Sequence, residues 1–482
     1  MPTPSRRDFM KVAAAAAGSV LLPPAVRGQP VSDAFGAGVS PIDDEHGWAR
    51  VPSILARIKA PTFPNRSFPV TRYGAKADGV TDSSAAFRRA IAACAAAGGG
   101  RVVVDGGAFL TGPIHLRSRV NLEVKEGATV KFLTDPKAYD LNVLTRFEGV
   151  ELMGLSPLVY ASNARDIAIT GSGTLDGQAG NTVWWHWNGN VRYGWKPGMG
   201  NQRAARVQLF DMAERGVPVG SRRFGAESYL RPNFIQPYGC TNVLVEGITI
   251  RNSPMWEINP VLCRNVTVRG VQIDSHGPNN DGCDPESCHD VLIERCRFDT
   301  GDDCIAIKSG RNADGRRVNV PTENVVIRDC EMHDGHGGVT IGSEISGGVR
   351  HVYAERNKMD SPQLDRALRL KNNAMRGGVL EHIYMRDVQV GQLADAVLQV
   401  DFLYEEGANG DFPPVVRDVE LQRVTSKKST YGLYLRGYEK GTIDDIRVID
   451  CTFDGVAKPD VVEHVTGLVR RNVAVNGEKV SR

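Results

Sequence analysis

Val243-Leu244-Val245-Glu246-Gly247-Ile248-Thr249-Ile250 is followed by Val266-Thr267-Val268-Arg269-Gly270-Val271-Gln272-Ile273. Each stretch holds two short β-rich runs with a glycine between them. Alternation of period two over three to five residues marks short strands, and Gly, Asn and Asp mark the turns between them. The pattern is anchored on a β-branched residue that follows Asn, Asp or His. It recurs at Val243, Val266, Val291, Val325, Val352, Ile383, Val419 and Ile446, with gaps of 23, 25, 34, 27, 31, 36 and 27 residues. A constant strand pattern with variable gaps means loops of different length hung from a regular coil. Val120 to Phe132 and Ile167 to Leu175 have the same texture.

Few architectures repeat at 23 to 27 residues. A leucine-rich repeat needs leucines at fixed spacing and an asparagine ladder, which are missing, and a propeller blade needs about 40 residues or more. A parallel β-helix fits: an all-β solenoid whose coils stack two or three short strands on those below. The open core of such a solenoid must be capped. Asp82-Ser83, then Ala85 to Cys94, then Gly98-Gly99-Gly100 read as a capped N-terminal helix that gives way to a strand at Arg101 to Asp105.

The length of 482 residues suggests about three domains by a simple prior, but a solenoid runs this far as one. Apolar residues make up 41% and charged residues 24%, which excludes a largely disordered chain. Fifty-eight basic against 56 acidic residues gives +2, so bulk charge supports neither nucleic acid nor an anionic membrane as partner. At the N-terminus, Arg6-Arg7 and Lys11 precede the apolar run Val12 to Leu22 and small residues to Gly28. That is the layout of a secretory signal, too short to span a bilayer. The twin arginine with Phe9 resembles a Tat signal. The expected organisation is a signal at 1–28, a Pro-rich aperiodic arm at 29–65, and one β-helix at 66–482. The cysteines number nine. Several flank strand-like segments, as small buried hydrophobes do. Cys283 and Cys288 lack a second pair at zinc spacing, so no metal is expected.

Three acids stand out in the middle coils: Asp281 and the pair Asp302-Asp303. Asp302 lies 11 residues after its anchor Val291, and His336 lies 11 after Val325, so adjacent coils stack them about 4.8 Å apart. Asp281 lies 15 after Val266, in a coil with the extra residues His276-Gly277-Pro278. Lys308 and Lys371 fall 17 and 19 residues after their anchors. Arg369 and Lys371 alternate across Leu370; with Leu370 in the core, both cations face outward. Two readings fit these acids. They are turn residues at coil corners, or carboxylates crowded so that an acid stands beside a base, as glycoside hydrolysis requires. Neighbouring cations suit a sugar that carries a carboxylate.

Asn279-Asn280-Asp281-Gly282, Gly301-Asp302-Asp303-Cys304, Gly335-His336-Gly337 and Arg369-Leu370-Lys371 occur in this order on successive coils. Together they resemble the four signatures of glycoside hydrolase family 28, the polygalacturonases. Tyr73 to Gly79 and Asp302 to Gly310 resemble its bacterial members. The resemblance spans roughly residues 68 to 455. It implies a right-handed pectin-lyase-like β-helix, a pectic substrate, no cofactor, and inverting hydrolysis, for which the acid and base carboxyl groups are expected about 6.5–9.5 Å apart with room for a water. Carried over by position, Asp302 is the general acid and Asp281 and Asp303 hold the water. His336 tunes the acid. Arg369 and Lys371, with Lys308 and Asn279, bind substrate. Asn280 stands where Thr is usual, and Leu370 where Ile is. The alternatives are a hydrolase of the same family acting on rhamnogalacturonan or other pectic fragments, a Ca²⁺-dependent lyase, to which the Gly-His-Gly segment has no use, and a non-catalytic carbohydrate-binding β-helix.

Gly177 to Arg231 breaks the repeat and holds Trp184, Trp185, Trp187, Tyr193 and Trp195. It reads as a long loop leaning over the cleft, its aromatics either stacking on sugar rings or packing on the solenoid wall.

Overall fold

The computed structural model describes residues 47–480. They form a right-handed parallel β-helix with three faces. Two faces are fourteen-stranded sheets, and the third consists of a three-stranded and a six-stranded sheet. The anchor residues are one column of the first sheet: Ile167 pairs with Val243, and the register then runs through Val266, Val291, Val325, Val352, Ile383, Val419 and Ile446. All nine side chains are buried in the central core. The Asn, Asp or His before each anchor from Val243 onward has φ between +51° and +60°. This left-handed conformation is tolerated best by such residues, which explains the recurring pattern.

The column of Glu246, Arg269, Glu294, Arg328, Glu355 and Arg386 alternates in sign along the same sheet. Opposite charges in register stabilise neighbouring strands, whereas like charges would oppose stacking.

The N-terminal cap is a helix, α2 below, at Ser84–Ala96. Phe87, Ala90, Ile91 and Cys94 are buried in the core beneath it. Asp82 Oδ1 accepts the Ser84 amide at 2.8 Å, so the start is fixed by the aspartate, while Ser83 Oγ accepts from Lys76. At the other end Gly98 and Gly99 donate to Ala95 and Cys94, a paired C-terminal cap made possible by φ +84° at Gly98. All nine cysteines are free and buried.

Two segments differ from expectation. The arm is not wholly aperiodic: Val51–Arg57 is a helix (α1) after a 3₁₀ turn at Gly47–Arg50. Val51 and Ile54 pack on Leu292, Val326 and Tyr353, outward-facing residues of the first sheet, and Trp48 meets Tyr353 edge-on at 5.5 Å. Seven residues are too few to show periodicity or to hold a helix alone, so this one depends on its docking. The signal residues 1–28 lie outside the described residues. No helix among the described residues is long and apolar enough to cross a membrane.

The stretch 177–231 is not a plain loop. It carries a third helix, α3, at Arg203–Glu214. Trp184 and Trp187 sit in the core and form an edge-on chain with Tyr139 and Tyr229. Trp185 donates its indole N–H to the Ser253 carbonyl at 2.8 Å. These indoles pack on the solenoid wall, where burial of so large an apolar surface is worth most. What the segment presents to the cleft is polar: Asn188, Gln202, Arg203 and Arg206.

Candidate active site

The third face narrows to two columns of isolated bridges, one through Ile235, Ile258, Cys283 and Ile305 and one through Tyr238, Val261, Glu286 and Lys308, before it widens again into the six-stranded sheet. The acids lie on this irregular stretch. Ser275 pairs with Thr300, and the ladder resumes where the Asp302 amide donates to the Asn280 carbonyl. His276-Gly277-Pro278 are therefore the three extra residues, and Asp281 falls one coil below Asp303 despite its longer offset. Asn280 secures that turn. Its Oδ1 accepts from Ser275 Oγ and the Gly277 amide, each at 2.7 Å, and its Nδ2 donates to the Ser253 and Met255 carbonyls. Threonine has no side chain able to make all four bonds.

His336 stands above Asp302, with Nδ1 3.1 Å from Asp302 Oδ1 and its amide donating to the Asp302 carbonyl. The glycines beside it have a steric reason. A Cβ on Gly337 would collide with Thr340 Oγ1 and stand 3.0 Å from Asp303 Oδ1. Leu370 is buried in the core, and Arg369 and Lys371 point outward, as the alternation requires. They do not point to open solvent. Lys371 Nζ lies 2.7 Å from Asp303 Oδ2, Arg369 Nη1 lies 3.4 Å from Oδ1, and Thr340 donates to Oδ1 at 2.9 Å. Lys308 Nζ lies 3.2 Å from Glu344 and 3.5 Å from Asp281, over the Trp256 ring.

The eight expected residues thus converge. Asn279, Asp281, Asp302, Lys308 and Lys371 line one cleft with an empty volume of about 840 Å³. Asp303 and Arg369 lie directly behind them, and His336 stands at the rim. Trp256, Glu344, Tyr404, Glu405 and Arg206 also line the cleft and were not foreseen. Nothing in their local sequence marks them, since loops from different coils bring them in. Arg206 is fixed by a two-pronged pair with Glu148.

The acids differ in electrostatics. Burial pushes the Asp281 carboxyl well above the usual range, and Asp284 and Asp302 add to the effect. Burial also raises Asp303, but Lys371 and Arg369 outweigh it and carry it far below. For Asp302 the bond to His336 outweighs burial, so its carboxyl is lowered. The same bond raises His336 to about 9. At mildly acidic pH the cleft therefore holds an ionised Asp303, a His336–Asp302 couple with its proton on the imidazole, and an Asp281 that favours its protonated form. One oxygen of each aspartate lies within 4.8 Å of the others, closer than the separation of about 6.5–9.5 Å between carboxyl groups expected for inversion. A water bonded at ~2.8 Å to two such oxygens spans about 4.6 Å, so the spacing accommodates one. Elsewhere His276, Asp299 and Asp334, partly exposed, form a separate cluster of groups able to ligate a metal, with His276 Nε2 3.2 Å from Asp299.

The sequence profile of Glycosyl hydrolases family 28 matches residues 222–466. The exopolygalacturonase of Thermotoga maritima is 46% identical, with a TM-score of 0.87 over 90% of this chain and 96% of that one. A probable polygalacturonase of Vitis vinifera is 27% identical over 80% of this chain and 74% of its own length. An exo-poly-α-D-galacturonosidase of Dickeya chrysanthemi is 28% identical, over 75% of this chain and 62% of its own. The family 28 exopolygalacturonase of Yersinia enterocolitica shares the fold, at 22% identity and a TM-score of 0.65.

Proposed function

The chain belongs to Glycosyl hydrolases family 28, and from that premise we propose that it hydrolyses the galacturonosyl linkages of polygalacturonate in pectic polysaccharide. The observation that carries this is the stacking of Asp302 under His336 beside a buried Asp281 and a cation-held Asp303.

In the proposed reaction a water sits between Asp281 and Asp303. Asp303, kept ionised by its cations, orients it. Asp281, which burial holds toward its protonated form, acts in its ionised fraction and takes one of the water's protons while the water oxygen bonds to the anomeric carbon. The bond to the leaving oxygen breaks, and that oxygen takes through Asp302 the proton that His336, the protonated member of the pair, passes to it. Attack opposite the leaving group inverts the configuration. Asp302 suits this task because its carboxyl is the least buried of the three, at 19% side-chain exposure. Lys371 and Arg369 are engaged by Asp303, so their first duty is to that carboxylate. Lys308 is likewise engaged by Glu344 and Asp281, and Asn279 by Arg231, but Lys308, Lys371 and Asn279 all line the cleft and remain the proposed contacts to sugar.

We further propose exo action. The polar wall from Asn188, Gln202, Arg203 and Arg206 occupies one side of the cleft, and an inserted segment there would block a continuing chain. Two proposals come from sequence alone: export by the twin-arginine signal at 1–28, and residues 66–482 as one catalytic domain. Replacing Arg6 and Arg7 by lysine should abolish export if the first is right.

The test uses the protein lacking residues 1–28 with polygalacturonate at mildly acidic pH, with and without EDTA. New reducing ends without ultraviolet-absorbing unsaturated products, unaffected by EDTA, are expected, with mono- or short uronides from the first minutes. Unsaturated, EDTA-sensitive product would mean a lyase, and a broad early ladder of oligomers would overturn exo action.

A further inference from the structure

Arg231 ends the inserted segment and is 2% exposed. Its Nη1 donates to the carbonyls of Pro254 and Pro278 at 2.9 and 2.6 Å, its Nη2 to Asn279 Oδ1 at 2.7 Å, and its Nε to Gln202 Oε1 at 3.1 Å. All four acceptors are neutral, and no carboxylate among the described residues is bonded to it. A buried cation without a bonded anion is unfavourable, and burial pushes this one down to about 10. Something in the fold must use it.

Its partners show what that is. Pro278 belongs to the three residues that bulge from the ladder, so its carbonyl has no strand neighbour. Pro254 lies in the coil below. Asn279 sits at φ +56°, two residues before Asp281. Gln202 is the N-cap residue of α3, which carries Arg203 and Arg206 into the cleft. One guanidinium therefore joins the enlarged turn, the coil beneath it and the inserted wall.

We propose that Arg231 is a positioning residue for hydrolysis: it fixes the Asn279-Asn280-Asp281 turn against the cleft wall and supplies the positive potential that favours Asp281 as a carboxylate. The inference rests on the reading of Asp281 as the group that takes the water's proton. The charged and titratable groups acting on Arg231 are Glu148, Tyr193, Asp302 and Asp281. Those acting on Asp281 are Asp284, Asp302 and Asp303 against Lys308, with Glu257 in the coil below. Four neighbouring acids against one close lysine leave Asp281 short of positive potential. Arg231 adds it without forming an ion pair that substrate would have to break.

The experiment measures kcat, KM and the pH profile of kcat/KM on polygalacturonate for the wild type, Arg231→Lys and Arg231→Gln, with thermal unfolding of each. Arg231→Gln removes the charge, so Asp281 ionises only at higher pH. The acidic limb should rise by on the order of one pH unit, and kcat should fall roughly 100-fold from misplacement of the turn, with KM little changed. Arg231→Lys keeps the charge but not the fork, so kcat should fall with the limb in place. If Arg231→Gln loses activity only in step with its folded fraction, limb unmoved, the role is structural and the proposal falls. Should Arg231→Gln not fold, Arg231→Lys decides: kcat within twofold of wild type overturns the proposal. A wild type inert on polygalacturonate would sink the proposed function and this inference with it; an active wild type with an unmoved limb in Arg231→Gln sinks this inference alone.

Discussion

His336 Nδ1 lies 3.1 Å from Asp302 Oδ1, and the two residues hold the same position in adjacent coils. The pair shares a proton that is lost as pH rises through the His336 value of about 9. In the proposed reaction that loss sets the basic limb of activity. In His336→Gln the acid is Asp302 alone, so the basic limb should move to lower pH, as a kcat/KM profile from pH 4 to 10 would show. Asp302→Asn should cost roughly 10²–10⁴-fold in kcat at all pH values. Retention of more than about a tenth of the activity would exclude Asp302 as the acid.

Lys371→Met removes the closest cation from a fully buried carboxylate. Breaking such a pair costs about 3–5 kcal/mol. Because the Asp303 carboxyl lies below its ordinary range when folded, its stabilisation is complete above the unfolded value of ~3.9 and fades as pH falls through the folded one. The stability gap between wild type and Lys371→Met should therefore be full at pH 7 and smaller well below pH 4. Urea midpoints at several pH values check this; a gap independent of pH would mean that Asp303 is not held ionised by Lys371.

Trp184 separates wall packing from sugar stacking. It is buried between Tyr139 and Trp187. Trp184→Ala should cost about 3–5 kcal/mol in unfolding free energy. An unchanged melting temperature with a raised KM would instead put this indole against substrate.

Trp48 covers Tyr353 and Tyr384 from outside, beneath the Arg386 guanidinium 3.9 Å from its ring. Trp48→Ala should lower stability by about 1–2 kcal/mol and leave kcat unchanged, since the arm docks on the first sheet and the acids lie on the third face. A fall in kcat without a fall in stability would show that the arm reaches the reaction.

Much of this molecule was legible without coordinates, because its regularities are local and repeated. Period-two alternation decides which side chain faces the core, and the Asn, Asp or His before each anchor reports a backbone conformation needed in every coil. Equal offsets from paired anchors then placed Asp302 under His336. Even the longer offset of Asp281 was traceable to His276-Gly277-Pro278. What the tertiary structure decided is where each charged or aromatic group found its partner. Arg369 and Lys371 face outward as read, yet close on Asp303, because a buried carboxylate draws the nearest cations more strongly than solvent does. Trp184 and Trp187 turned inward, a short arm became helical only on docking, and Arg231 reached across three segments. Contacts between segments far apart in the chain follow from the way unequal loops fill the space around the coil, and a repeat pattern carries no record of that packing.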